Sequence, residues 1–127
     1  MDHPEELKQE YNRMIEDLTH YAKTLDLDVN QLTEEAAKFA SEMASKDDGN
    51  SLYPDKPRIL REIISFGSAV EKEIKRQIDN GLYRIELSDM RVDSKGYIYD
   101  RRVRRVQIIV SICDAELLDL LAPAQQW

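Results

Sequence analysis

The stretch "YDRRVRRVQIIV", residues 99–110, governs how the second half of the chain is read. Arg101, Arg102, Arg104 and Arg105 crowd into it, although the chain has a formal net charge of −7. Beyond them Val106, Ile108, Val110 and Ile112 fall at every second position, the period of a strand with one buried face. Before them Tyr97 and Tyr99 share one face of an extended chain. "DSKG" at 93–96 is turn chemistry, with Asp first and Gly fourth. Ahead of that turn Tyr83, Ile85 and Leu87 alternate with Arg84, Glu86 and Ser88. Met90 and Val92 continue one position out of phase, the signature of a bulge near Ser88 and Asp89. A second phase shift falls inside 101–105, as a bulge or as an arginine turn between two shorter strands. Residues 82–113 thus read as one long antiparallel β-hairpin or a three-stranded meander.

Working outward, the N-terminal half has a helical period. Leu7, Tyr11, Met14, Ile15, Leu18, Ala22 and Leu25 recur at spacings of three and four after Pro4, a residue suited to a first helical turn. Asp28 with Gln31 three positions on resembles a capping box that opens a second helix on Val29, Leu32, Ala36, Phe39, Ala40 and Met43. Residues 45–57, "SKDDGNSLYPDKP", collect Gly, Asn, Ser and two prolines and read as a loop. Asp55 then caps a third helix on Ile59, Leu60, Ile63, Ile64, Val70, Ile74 and Ile78, stopped by Asn80-Gly81. Leu60, Ile63, Gly67, Val70 and Ile74 fit a heptad over barely two repeats, so burial against the other two helices is the reading adopted. "DAELLDLLAP" at 114–123 closes the chain as a short helix capped by Asp114. The expected fold is α+β: three N-terminal helices, a long antiparallel β-hairpin or three-stranded meander, and a short C-terminal helix. It forms a single domain over 1–127. Its parts are an acidic helical pair (1–47), a loop (48–57), a long helix (56–79), the hairpin (82–113) and the short helix (114–121).

Composition narrows the function classes. The chain has 127 residues, 42% hydrophobic and 34% charged, which suits one domain with a core and argues against global disorder. Its longest apolar run, "IIV" at 108–110, is far too short to span a bilayer, so no membrane association is expected. The start "MDHPEELKQE" lacks a basic region and a following apolar stretch, and reads as an unprocessed cytoplasmic chain. A lone Cys113 excludes an internal disulfide framework and, with His3 and His20 far apart, an ordinary zinc site. No cofactor and no metal are expected. Residues 1–55 hold 14 acidic and 5 basic side chains, a net of −9, whereas residues 56–127 hold 11 and 13, a net of +2. The molecule is electrically two-ended.

The candidate binding residues are Arg101, Arg102, Arg104 and Arg105 with Tyr97 and Tyr99. Planar guanidinium forks pair with phosphate or carboxylate, and the tyrosines add stacking surface. Strand alternation, however, divides Arg102 and Arg104 from Arg101 and Arg105, and charges on an edge strand also guard against edge-to-edge pairing. For an internally paired strand the expected partners are Asp100 and Glu86. Catalytic readings are thinner. Glu34 and Glu35 diverge by about 100° around a helix, Asp47 and Asp48 lie in the loop, and His20 has no nucleophile or second histidine in sequence reach. Cys113 reads as a small buried hydrophobe.

Two short resemblances accompany these readings. "AKTLDLDVNQLTEEAAKFASEM", residues 22–43, resembles the helical part of ribbon-helix-helix antitoxins. Those proteins read the major groove with an N-terminal strand, whereas the segment preceding it here is helical and acidic, so DNA binding is not carried over. "YRIELSDMRVDSKGYIYD", residues 83–100, resembles small phage and mobile-element proteins, anti-CRISPR inhibitors among them, in which a "Y-x-I-x-L-S-[DN]" strand precedes a turn and a second strand. That resemblance implies a small protein whose work is binding. The expected function is therefore a non-enzymatic binding protein, an inhibitor, antitoxin-like or adaptor module, possessing a protein partner at its acidic helical face or its basic hairpin. A homodimer is expected, because a hairpin cannot cover both of its own faces. The alternative is a binder of nucleic acid or an anionic nucleotide through the arginine-rich strand.

Overall fold

The computed structural model describes residues 4–44 and 55–121. Four helices make up most of it: α1 (Pro4–Thr24), α2 (Val29–Ala44), α3 (Asp55–Asp79) and α4 (Arg101–Leu121). Between α3 and α4 the chain makes an excursion through a 3₁₀ turn at Leu87–Asp89 and two short strands, β1 (Met90–Val92) and β2 (Ile98–Asp100). The α+β expectation is thereby corrected. The protein is mostly helical, and its only sheet among the described residues is a two-stranded antiparallel hairpin.

The correction falls on residues 101–121, which form one helix instead of a strand followed by a short helix. Val106, Ile109, Cys113 and Leu117, spaced by three, four and four, are its buried face. Of the alternating set Val106, Ile108, Val110 and Ile112, Val106 alone is fully buried and Ile108 is exposed. Stiff β-branched side chains cost a helix only a few tenths of a kcal/mol each, whereas burying one large apolar side chain returns about 1.5–3 kcal/mol. Packing therefore overrides local preference. Neither glycine nor proline occurs between Gly96 and Pro123 to interrupt the helix, and Asp114 lies inside it rather than capping it.

The helical joints follow from local chemistry. Asp26 takes the left-handed conformation (φ 59°) after α1, and the Leu27 N–H donates back to the Ala22 carbonyl at 3.0 Å, which closes the helix end. Asp28 Oδ1 accepts the Gln31 N–H at 3.1 Å, one half of the expected capping box. The Gln31 side chain instead donates to Glu35 Oε1. The pair Asp47 and Asp48, and residues 45–54 of the expected loop, lie outside the described residues.

Helix α3 is the central element and packs on the other three. Its Leu60, Ile63, Val70 and Ile74 join Met14, Leu18 and Ala22 of α1, Ala36 of α2, and Val106, Ile109, Cys113 and Leu117 of α4 in one continuous core. Gly67 sets the approach of α3 to α4. A Cβ built there would lie 2.6 Å from Val110 Cγ2 and 3.7 Å from the Leu18 methyls. Gly67→Ala gains up to about 1 kcal/mol of helix propensity but forces an overlap of the kind that costs about 1–3 kcal/mol. The expected outcome is a net loss of stability by chemical denaturation. Adding Val110→Ala, which clears the overlapping methyl, should make the glycine-to-alanine change neutral or favourable.

Candidate functional site

Of the candidate residues, the excursion between α3 and α4 carries Tyr97 and Tyr99, and the four arginines follow it as the start of α4. Gly81 ends α3 in the left-handed conformation (φ 70°), and the Leu82 N–H returns to the Gln77 carbonyl at 2.8 Å. Leu82 to Glu86 then runs without strand partners among the described residues, in place of the expected first strand. The hairpin register pairs Met90 with Asp100, Arg91 with Tyr99 and Val92 with Ile98. Its turn is built by Asp93, whose Oδ1 accepts the N–H groups of Lys95 (2.8 Å) and Tyr97 (2.9 Å), with Gly96 at φ 87°.

The four arginines are the first turns of α4, and each has an internal partner. Asp100 is the N-cap: its Oδ1 accepts the Arg102 N–H at 2.7 Å, and its Oδ2 accepts Arg102 Nη2 at 2.9 Å and the Tyr83 hydroxyl. Asp89 of the 3₁₀ turn receives Arg101 Nε at 2.8 Å and Arg102 Nε at 3.4 Å. Arg105 Nε reaches back 3.0 Å to Asp17 Oδ2 on α1. The Arg104 guanidinium lies 4.4 Å from the ring centre of Tyr99. Both carboxylates at the hairpin base, Asp89 and Asp100, are buried. Of the two expected partners, Asp100 is confirmed by this geometry, whereas Glu86 is exposed and contributes only its carbonyl, to the Asp89 N–H.

Electrostatics follow from this arrangement. Burial pushes the Asp100 carboxyl upward, but the hydrogen bonds from Arg102 and Tyr83 outweigh it and hold the group below the usual carboxylate range. The bond to Asp100 raises Arg102 further above its ordinary value. Burial, then the hydrogen bond to Asp100, raises the Tyr83 phenol. The site is a closed ionic clamp. It joins the end of the extended segment, the 3₁₀ turn, the last residue of β2 and the first turn of α4.

The six predicted site residues thus do not converge on one spot. Arg101 and Arg102 enter the clamp, Arg104 stacks on Tyr99, Arg105 ties α4 to α1, and Tyr97 projects exposed from the hairpin turn. Nor is the hairpin basic once its arginines belong to the helix. Beside Arg91 and Lys95, this end of the molecule presents large apolar side chains. Leu87 is 85% exposed, and the cross-strand pair Val92 and Ile98 is 63% and 61% exposed. Sequence reasoning read Leu87 and Val92 as alternating strand positions and gave Asp89, Asp17 and Tyr83 no part in the site. One available signal was Asp100 immediately before the arginines, an N-cap residue at the head of a run without helix breakers.

Other chemistry is sparse. Among the described residues no three His, Cys, Asp or Glu side chains are placed to hold a metal ion. His20 is exposed and meets only the edge of Tyr21, 5.9 Å away. Burial pushes the Cys113 thiol up to about 12, and its Sγ lies 3.9 Å from Met14 Sδ inside the core. No helix among the described residues is long and apolar enough to cross a membrane. No family model, curated protein or solved structure matches the chain.

The clamp generates two expectations. Arg102→Ala leaves two buried carboxylates short of donors and should lower unfolding stability by about 3 kcal/mol, whereas Arg104→Ala loses only an outer cation–π contact of about 0.5–1 kcal/mol. Urea midpoints of the two variants check the ranking. Because Asp100 has a depressed folded value, its stabilisation is present above the ordinary carboxylate pKa and is lost as pH falls through the lower folded one. Asp100→Asn should therefore melt lower than wild type at pH 7 and lose less on acidification to pH 2.5, as read by thermal unfolding across that range.

Proposed function

We propose that the protein is a small non-enzymatic binding protein, an inhibitor, antitoxin-like or adaptor module, and that its partner protein docks on the hairpin. The observation that carries this reading is the exposed set Leu87, Val92, Tyr97 and Ile98 on an excursion whose base is fixed by a buried ionic clamp. Water-facing apolar side chains concentrated on a rigid projection mark protein contact surfaces. Rigidity lowers the ordering cost of binding. The alternative of a nucleic acid or nucleotide ligand loses its main support, since all four guanidinium groups are engaged inside the molecule. The net of −9 on residues 1–55 would also repel a long polyanion.

Two measurements test the proposal. Bait carrying Val92→Asp and Ile98→Asp, exposed positions whose substitution leaves the core untouched, should fail to retain a protein that wild-type bait retains from its native extract. Fluorescence titration with labelled single- and double-stranded oligonucleotides at low salt should show no binding. Salt-sensitive binding that Arg101→Ala weakens would transfer the function to the alternative.

A further inference from the structure

The segment Leu82–Glu86 belongs to no helix or sheet among the described residues. It begins where Gly81 ends α3, is anchored inward by the Tyr83 hydroxyl on Asp100, and ends in extended backbone at Glu86 (φ −85°, ψ 152°). The N–H groups of Arg84, Ile85 and Glu86 and the carbonyls of Leu82 to Ile85 take no hydrogen-bond partner among the described residues. A row of open donors and acceptors along the backbone is the template for strand addition. Leu82 and Ile85 on this segment are also exposed.

We propose that the occupant of this edge is a second copy of the same chain, paired antiparallel about a two-fold axis through Ile85. The sequence selects that register by charge. Centred on Ile85, Arg84 of each copy faces Glu86 of the other and Ile85 faces Ile85. The charged pairs fall on one face and the apolar pair on the opposite face, as strand alternation demands. A centre one residue earlier sets Arg84 against Arg84 and Leu82 against Glu86. Self-pairing of β1 about its middle residue sets Arg91 against Arg91, and β2 treated likewise sets Ile98 against Asp100. Of these registers, only the one centred on Ile85 sets opposite charges against each other. Arg84 and Glu86 are exposed and make no side-chain ion pair among the described residues, so their charges are available to another molecule.

This inference rests on reading this end of the molecule as a protein-binding surface, but it is scored separately, by mass instead of by capture. Sedimentation equilibrium at low salt, from about 1 to 500 μM, should show the 14.8 kDa chain in reversible exchange with a dimer. Arg84→Glu and Glu86→Arg each create like-charged pairs twice over by symmetry and should weaken association about tenfold. An equimolar mixture of the two variants restores both opposite-charge pairs across a heterodimer and should recover the wild-type affinity. The double exchange Arg84→Glu with Glu86→Arg should do the same within one chain. A monomer at every concentration overturns the pairing while leaving the hairpin docking surface standing. A dimer insensitive to either single exchange, or one the mixture fails to restore, overturns it as well.

Discussion

The buried pairing of Asp100 with Arg102 is the constraint on which the rest of the second half depends. One carboxylate performs three tasks. It caps α4, neutralises a guanidinium at a helix start where the backbone dipole disfavours positive charge, and receives the Tyr83 hydroxyl from the extended segment. Asp89 extends the same arrangement to the 3₁₀ turn through Arg101 and Arg102. The Asp89 and Asp100 carboxylates are taken out of water together with Arg102, while Arg101 stays half exposed at the rim. The cluster ties a loop of modest hydrophobic content to the helical body at its base.

That constraint also explains how an acidic chain tolerates four clustered arginines. Their charge is spent inward, on Asp89, Asp100, Asp17 and the face of Tyr99. Arg105 reaches across to α1, so part of the charge contrast between the two halves of the sequence is consumed in joining them. What remains outward on the excursion includes the large apolar side chains Leu87, Val92, Tyr97 and Ile98, a surface suited to protein contact.

The unpaired segment and the hairpin share a physical origin. A short hairpin standing on a helical body buries only its base, so residues further along each strand face water whatever their hydropathy. Val92 follows Met90 on the same strand face, and Met90 is partly covered while Val92 is exposed. The clamp and the Tyr83 ring packed on the core hold this geometry from the base, which leaves large side chains further out available at little cost to the core.

Residue patterning alone determined the first three helices. Their apolar stripes have the period of 3.6, Asp28 supplies a cap and Gly81 a stop, and these are local signals. The turn at 93–96 was legible for the same reason, because Asp93 and Gly96 satisfy it from within four residues. Residues 101–113 were not. Valine and isoleucine at alternate positions carry strand propensity, and only the groove offered by α3 beside Gly67 shows that Val106, Ile109 and Cys113 form the face that is buried. The arginine run was visible as chemistry but not as geometry. Its partners Asp17, Asp89 and Tyr83 lie 12 to 88 residues away in sequence, and an ion pair between distant segments exists only once the helices have packed. Local periodicity fixes an element when the chain itself supplies its caps and its stripe; which face is buried, and where a charge finds its counter-charge, are decided by neighbours that only the tertiary structure assembles.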